Sequence, residues 1–292
     1  MIPPQWAPYA RRCQLAAASL PRLRGLDLFA GAGRFAMMMA SIGLSCAAFD
    51  IQHSDSEDVL SEAGTIAVMT MMFQCVRGAL ILMGPPCKNW IALSRRTHRR
   101  TLFNIYGDVL RNDNRIGNAI ADFTSNVMIF ADYLGLVYFT EQPSDSVFWH
   151  WPSIKVALEI TCAVKVTWHM FVFGAKTPKP QTGYCTAPWA SRFQRLTKDL
   201  YRSTPRPKRR LVKPSSKAGS YTGLKPFLEK SAEYPEEFVR TLIQFHFMVS
   251  VASASSDDAL REESDGESNC ASHLSFVSDC PLPEDIVAAP LG

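Results

Sequence analysis

Residues 26–33, which read LDLFAGAG, indicate the fold of this 292-residue chain. Residues 24–29 are predicted to form a first strand, and Gly31 and Gly33 follow it at once. A methionine-rich segment that continues to about Ile42 has the character of a helix. A strand, a glycine turn and a helix in this order are typical of a nucleotide-cofactor turn in an open α/β sheet. The chain is therefore predicted to be an α/β protein with a doubly wound, mainly parallel sheet.

Strand-like and helix-like segments alternate along the rest of the sequence, which supports that fold class. The predicted strands are 44–49, 66–73, 79–83 and 136–139, with two further strand-like runs in 161–173. The predicted helices are a short one at 54–62 and longer ones at 116–133, 152–159 and 234–251. The segments 94–114 and 174–183 are predicted to be irregular, the first of them as a loop over the site.

The glycine turn has the features of a site for an adenosyl ligand. Glycines let the backbone approach a ligand closely, and the helix that follows offers free N–H groups. Asp50 ends the next strand, where an acid accepts hydrogen bonds from a ribose diol. The third glycine of a dinucleotide fingerprint is absent, which favours a smaller adenosyl ligand over NAD.

Residues 82–90, which read LMGPPCKNW, place a thiol at the end of another strand. The apolar run 79–83 must stop at Gly-Pro-Pro, since proline cannot continue a strand ladder. Cys87 then lies on the loop at the strand's carboxyl end, the edge where open α/β sheets bind ligands. Positively charged neighbours such as Lys88 and Arg95 are expected to lower the pKa of the thiol and activate it as a nucleophile.

A carboxylate follows a further apolar strand in residues 140–143, which read TEQP. Glu141 lies just beyond the strand 136–139, so it is expected at the same edge of the sheet as Cys87. The alternative for Glu141 is a surface turn acid.

These three motifs, in this order, resemble the DNA cytosine-5 methyltransferase family. The resemblance covers residues 24–145 and, more loosely, the last predicted helix, and it implies the Rossmann-like methyltransferase fold. It implies that the Pro-Cys cysteine, Cys87, attacks C6 of a flipped-out cytosine, that Glu141 steadies and protonates N3, and that a methyl group passes to C5. The residues that it implies for S-adenosylmethionine are Asp27, Phe29, Gly31, Gly33, Asp50, Pro85 and Pro86.

The motifs also depart from the family's pattern, and the departures leave alternatives open. The family usually has Gln-x-Phe-Ser after the cysteine, where this chain has residues 88–91, KNWI, and Glu-Asn-Val where it has residues 141–143, EQP. About 50 residues separate Cys185 from the last helix, which is too few for a large target-recognition domain. A catalytically degenerate module that binds nucleic acid or an adenosyl ligand is the first alternative. An amino-methylating enzyme is the second, although Gly84 lacks the acceptor side chain that such enzymes need.

The distribution of charge points to DNA or RNA as the partner. The segment 253–292 carries nine acidic residues against Arg261, so the remaining chain has a net charge of about +12. Residues 192–217 contain ten basic side chains and one acid, Asp199, which suits a phosphate backbone. Trp90 or Phe103 is predicted to stack on a base. The predicted nucleic-acid contacts are Lys88, Trp90, Arg95, Arg96, Arg99, Arg100, Lys208, Arg209 and Arg210.

The predicted organisation is an N-terminal extension (1–23), a methyltransferase-like domain (24–251) with a basic insertion (186–233), and a disordered acidic tail (252–292). The eight cysteines form no Cys-x-x-Cys pair, so no zinc site is predicted, and a reduced intracellular setting fits them. No apolar run has the length of a membrane helix. Residues 205–210, PRPKRR, are similar to a nuclear import signal, and residues 1–26 are weakly compatible with organelle targeting.

Overall fold

The computed structural model describes residues 2–207 and 233–248, together with the backbone of 213–214 and 221–222. The predicted tail 252–292 and the basic residues Lys208, Arg209 and Arg210 lie outside the described residues. The predicted insertion 186–233 is described only in part.

A mostly parallel sheet forms the centre of the molecule. Within the described residues it has six strands: β1 (Leu23–Leu28), β2 (Cys46–Phe49), β3 (Cys75–Met83), β4 (Val137–Pro143), β5 (Val164–His169) and β6 (Pro180–Cys185). Their order across the sheet is β2-β1-β3-β4-β6-β5. The pairs β1–β2, β1–β3 and β3–β4 are parallel, and β6 runs antiparallel to both β4 and β5. Five strands therefore point the same way, and the prediction of an α/β protein with a mainly parallel sheet is confirmed.

Helices cover both faces of the sheet. They are α1 (Ala7–Ala18), α2 (Arg34–Ser41), α3 (Glu62–Gln74), α4 (Arg95–His98), α5 (Asn112–Tyr133), α6 (Pro152–Ile160), α7 (Ala190–Ser203) and α8 (residues 236–248). The core on one face joins α1, α3, α5 and α6 to the sheet. The core on the other face joins α2, α7 and α8 to it. Two short strands outside the sheet, β7 (Lys213–Pro214) and β8 (Tyr221–Thr222), pair antiparallel.

The buried residues of β3 show why this segment becomes a central strand. Residues 79–83, ALILM, are all almost completely buried, and alternate side chains enter the two cores. A central parallel strand is covered on both faces, so it needs a continuous apolar run instead of alternation with polar residues. The Gly-Pro-Pro sequence then ends the ladder, as expected.

The order of the strands reverses between β1 and β3. The chain passes from β1 to β2 on one side and then returns to place β3 on the other side of β1. In open α/β sheets, ligands bind outside the carboxyl ends of the strands at such a switch point. The loops after Leu28 and Met83, which carry the glycine turn and Cys87, begin at this point.

The predicted strand 66–73 is wrong, because this segment lies within helix α3. The Ser61 hydroxyl caps the helix by accepting a hydrogen bond from the backbone N–H of Gly64 at 2.9 Å. A continuous apolar run fits either a buried strand or a buried helix. Here the run packs between the sheet and α1, so it is apolar on several sides.

Smaller differences concern the other predicted segments. Residues 54–62 contain only a single 3-10 turn, Asp55–Glu57, before α3 begins. The second strand-like run of 161–173 is a 3-10 helix, Met170–Phe173, and the segment predicted as irregular contains β6. The loop predicted over the site includes the short helix α4 and the first residues of α5.

The N-terminal residues pack into the core of the main body. Trp6 is 3% exposed, and its ring lies at 5.6 Å from the ring of Phe123 and 5.5 Å from that of Phe130. Cys13 and Ala17 of α1 are also buried.

Of the helices in the described ranges, none has both the length and the apolar character that crossing a bilayer requires.

Replacing Trp6 with alanine should destabilise the whole fold. Loss of a large buried aromatic side chain costs about 3–5 kcal/mol of unfolding free energy, because a cavity remains. Leu15→Ala, in the helix α1 that follows Trp6, is the control: Leu15 is 67% exposed, so its loss should cost less than about 0.5 kcal/mol. Urea unfolding followed by circular dichroism measures both. Equal stability of the two variants would contradict the burial of Trp6 in the core.

Candidate active site

The carboxyl ends of β1, β3 and β4 bring three predicted motifs to the same edge of the sheet. The glycine turn follows β1, and Cys87 follows β3, which pairs with β1. Glu141 lies in β4, which pairs with β3 and extends to Pro143. The parallel register therefore places the predicted cofactor turn, nucleophile and acid on one rim.

The glycine turn has the backbone conformation that only glycine adopts easily. Gly31 and Gly33 have φ angles of +53° and +65°, and Gly33 is the N-cap of α2. A Cβ at either position would meet no atom within 4 Å, so open space lies beside the turn. Phe29 has a φ of +59°, and its half-buried ring packs edge-to-face at 6.4 Å from Phe123. The turn is thus open at its glycines and anchored at Phe29.

Asp50 holds the glycine turn against the end of β2. One of its carboxylate oxygens accepts a hydrogen bond from the Gly31 N–H at 2.8 Å, and the other accepts one from the Gln52 N–H at 2.8 Å. Each oxygen retains a further lone pair, so the predicted bond to a ribose hydroxyl stays a prediction.

His53 and Glu57 support the same turn. The Nε2 atom of His53 lies 2.8 Å from the Gly31 carbonyl oxygen, and this hydrogen bond raises the pKa of the imidazole. Glu57 accepts a hydrogen bond from the Asp50 N–H at 2.8 Å and lies 3.4 Å from His53 Nδ1. Residues at the end of β2 and in the loop after it therefore hold both the N–H group and the carbonyl group of Gly31.

Asp27 is a buried carboxyl group behind the glycine turn. It is 1% exposed, and it accepts a long hydrogen bond of 3.4 Å from the Ala36 N–H in the first turn of α2. Burial raises the pKa of Asp27 to about 7, although the helix N–H groups oppose the shift. This places Asp27 beneath the turn, where it touches the helix instead of facing open space.

Gln142 ties the cysteine loop to β4. Its side-chain nitrogen donates a hydrogen bond to the carbonyl oxygen of Pro85, and its oxygen accepts one from the Ser146 hydroxyl at 3.0 Å. Pro85 is buried, whereas Pro86 is exposed. The glutamine in this chain's Glu-Gln-Pro sequence therefore fixes the position of the loop that carries Cys87.

Trp90 and Arg100 form a buried anchor below that loop, which corrects their assignment as nucleic-acid contacts. Trp90 is 1% exposed and packs edge-to-face against Phe148 and Trp151 at 5.4 and 5.6 Å. The Arg100 guanidinium lies 3.8 Å from the centre of the Trp90 ring, and Arg100 is 2% exposed. Neither side chain is accessible to a ligand, because neighbouring residues of the protein cover both.

Hydrogen bonds within the protein explain why Arg100 is buried. Its guanidinium donates to the carbonyl oxygens of Ile105 and Asn114 at 2.7 and 3.0 Å, and to the Asn118 side-chain oxygen at 2.7 Å. Burial lowers the pKa of Arg100 to about 10. The other predicted contacts in this region, Lys88, Arg95, Arg96 and Arg99, are exposed, as is Phe103.

Three polar side chains surround the carboxyl group of Glu141. The Tyr234 hydroxyl donates a hydrogen bond to one carboxyl oxygen at 3.0 Å. The Gln181 amide, oriented with its nitrogen toward the acceptors, lies 3.1 Å from the other oxygen. Lys179 provides a positive charge nearby, and it lowers the pKa that burial raises. Burial prevails, so the pKa of Glu141 is above its ordinary value and the group retains its proton to higher pH.

Gly84 allows Tyr234 to reach the site. A Cβ on Gly84 would overlap the Tyr234 hydroxyl oxygen and would lie 3.3 Å from a carboxyl oxygen of Glu141. The absence of a side chain at the start of the Gly-Pro-Pro sequence is therefore a steric requirement of the contact between Tyr234 and Glu141.

The predicted low pKa of Cys87 is wrong. Burial and the nearby charge of Glu141 raise the pKa of the thiol to about 11, although Lys179 opposes the shift. The side chain is half-buried, and Lys88 and the arginines of α4 are not among the groups that shift this pKa. The charges that act on Cys87 thus come from the β4 and β6 side, which sequence proximity could not indicate.

Lys179, Gln181 and Tyr234 were not predicted as site residues. Lys179 directly precedes β6 and Gln181 lies near its start, both in a segment predicted as irregular, and Tyr234 precedes α8. The proline on each side of Lys179 was the available signal, since two prolines restrict the backbone.

Comparisons with known proteins give no assignment: no protein-family model matches the chain, and no curated protein matches it. Among the residues that the structure describes, no three His, Cys, Asp or Glu side chains are grouped so as to hold a metal ion.

The charges around Cys87 predict opposite effects of two substitutions on its alkylation. Glu141→Gln should make Cys87 react faster with iodoacetamide at pH 8.5, because the carboxylate raises the pKa of the thiol. Lys179→Met should make it react more slowly, because the ammonium group lowers that pKa. Peptide mass spectrometry measures the rate at Cys87 with the exposed Cys162 as internal reference. The same sign of change in both variants would contradict the arrangement of charges.

Asp27→Asn should change how stability depends on pH. A carboxyl group with a folded-state pKa of about 7 and an ordinary value of 3.8 stabilises the fold below pH 4, and this contribution is lost as pH rises to 7. The variant lacks this loss, so its stability relative to the native chain should rise by about 1.4 kcal/mol per pH unit in that range. Urea unfolding between pH 4.5 and 8 measures the slope, and a constant difference would refute the buried state of Asp27.

Proposed function

We propose that this chain is an S-adenosylmethionine-dependent methyltransferase that methylates C5 of cytosine in DNA or RNA. One observation carries the proposal: Cys87 and Glu141 lie within electrostatic reach of each other on the rim that also holds the glycine turn. The methyltransferase fold is part of this proposal. The switch point between β1 and β3 supports it, as does the order of the motifs along the chain.

Cys87 has the role of nucleophile in this proposal. Its thiolate adds to C6 of the base, which forms a sulfur–carbon bond and makes C5 electron-rich. A base within a duplex is inaccessible to such a loop, so the cytosine must be single-stranded or rotated out of the stack. Cys87 follows a strand end and its loop is fixed by Gln142 and Trp90, which favours a defined direction of attack.

Glu141 has the role of proton donor to N3 of the cytosine. A carboxyl group whose pKa is raised by burial holds a proton at higher pH than an exposed one, which suits a general acid. Protonation of Glu141 also removes the negative charge that raises the pKa of Cys87, while the charge of Lys179 remains. Protonation of Glu141 thus prepares the general acid and also favours the thiolate form of Cys87. Tyr234 and Gln181 hold the carboxyl group in place.

The residues at the glycine turn fit an adenosyl group. The space beside Gly31 and Gly33 leaves the backbone accessible, and the Asp50 carboxylate has acceptor capacity for ribose hydroxyls. S-adenosylmethionine, when bound, supplies the electrophilic methyl group. The exposed basic side chains of residues 88–99 are proposed to contact phosphates, and an intracellular, nuclear location is part of the proposal.

A non-catalytic module that binds nucleic acid or an adenosyl ligand is the second candidate. It is favoured by the raised pKa of Cys87 and by the engagement of both Asp50 oxygens with backbone N–H groups. Such a module would bind S-adenosylmethionine in calorimetry without forming a covalent adduct.

Trapping with 5-fluorocytosine oligonucleotides should distinguish the two candidates. In the presence of S-adenosylmethionine the native chain should form a denaturation-resistant adduct, because fluorine at C5 blocks the final elimination. Cys87→Ser should abolish the adduct, and Glu141→Gln should slow its formation about 100-fold, the usual contribution of general acid catalysis. Cys162→Ser, at an exposed cysteine, is the control and should form the adduct at the native rate. Ligand binding without any adduct would favour the module.

A further inference from the structure

A depression with a largely apolar floor and polar side chains along it lies between α7 and the edge strand β5. Its lining includes Thr167, His169, Lys198, Tyr201 and Arg202. Lys198 and Arg202 belong to the basic stretch 192–217, for which the sequence predicts contacts with a phosphate backbone, whereas it predicts no role for Tyr201.

The depression lies beside the candidate active site. β5 runs in the same direction as β4, since both are antiparallel to β6, so His169 at its end lies at the same rim as Glu141. Gln181, at the start of β6, lines the depression, and its amide nitrogen also lies 3.1 Å from a carboxyl oxygen of Glu141. A polymer that entered the site could therefore continue into the depression.

Hydrogen bonds hold the walls of the depression in a fixed position. The Gln194 side chain accepts from the Thr167 N–H at 2.6 Å and donates to the Thr167 carbonyl oxygen at 2.9 Å. The Thr197 hydroxyl donates to the Gln194 carbonyl oxygen at 3.1 Å. The side chain of Gln194 thus occupies the open edge of β5 and fastens α7 to it.

The side chains combine positive charge with aromatic surface. Lys198, Arg202 and Arg206 are exposed, and Asp199 forms an exposed ion pair with Arg202 at 3.2 Å. The Arg206 guanidinium lies 4.6 Å from the centre of the Tyr201 ring, and the His169 ring lies 4.6 Å from it as well. Cationic groups that track a phosphate backbone and rings that stack on bases are the two elements of single-strand binding surfaces.

We propose that this depression binds the single-stranded nucleotides next to the cytosine in the active site, with Lys198 and Arg202 on phosphates and His169 and Tyr201 against a base. The inference rests on the proposed function, since it assigns the substrate-contacting surface of that site. It favours single strands over duplex, because a stacked base must leave its partner.

Binding of a labelled 12-nucleotide single strand to the full chain tests the inference. The variant Lys198→Ala/Arg202→Ala should bind roughly tenfold more weakly, and the slope of log Kd against log salt should fall by about 1.4, or about 0.7 per lost phosphate contact. The matched control is Arg192→Ala/Arg195→Ala, which removes the same charge from exposed positions of α7 outside the depression. The control should retain native affinity.

The variant Tyr201→Ala distinguishes base stacking from charge. It should weaken binding of the single strand several-fold, while the slope of log Kd against log salt stays unchanged. Equal losses of affinity in the two double variants would overturn the inference. So would a larger loss of affinity for a duplex of the same sequence than for the single strand.

Adduct formation at saturating oligonucleotide is measured in parallel. If the native chain forms the adduct while both double variants bind with equal affinity, the binding role of the depression is rejected and the proposed function is retained. If only the Lys198→Ala/Arg202→Ala variant loses affinity and the native chain forms no adduct, the binding role of the depression is supported and the proposed catalytic function is rejected.

Discussion

The parallel pairing of β3 between β1 and β4 is the constraint on which the candidate site depends. Three segments that lie far apart in sequence end at one rim because their strands run side by side in the same direction. The pairing in turn depends on the continuous apolar run of β3, whose side chains enter both cores. A polar residue in this run would leave a group without a partner in one of the two cores. The site is therefore a consequence of how the centre of the sheet is packed.

The sequence predicted the parts of the fold that local patterns determine. The glycine turn, the Pro-Pro break and the long helix α5 each have a local cause, and each lies close to its predicted position. The segment 66–73 was predicted wrongly because a continuous apolar run has no periodicity that distinguishes a helix from a strand. Packing against α1 favours the helix. The reversed strand β6 was missed because its residues, PQTGYC, have little strand character.

The site was predicted less completely than the fold, because side-chain environment depends on neighbours that are distant in sequence. Cys87 and Glu141 lie where strand ends place them, yet the pKa of the thiol moves opposite to the expected direction. Burial raises this pKa most, Glu141 of β4 raises it further, and Lys179, just before β6, opposes the shift. Trp90 shows the same lesson: an aromatic residue beside a motif indicated a ligand contact, and packing against Phe148 and Trp151 made it part of the core.

The high pKa of Cys87 has a consequence for the resting protein. Oxidation by peroxide proceeds through the thiolate, so a thiol that stays protonated at neutral pH reacts slowly on the path to sulfenic acid. Burial beside a carboxyl group thus keeps the sulfur in its reduced state while the site is idle. Cys162, which is the exposed cysteine among the described residues, has no such protection by burial and lies away from the rim.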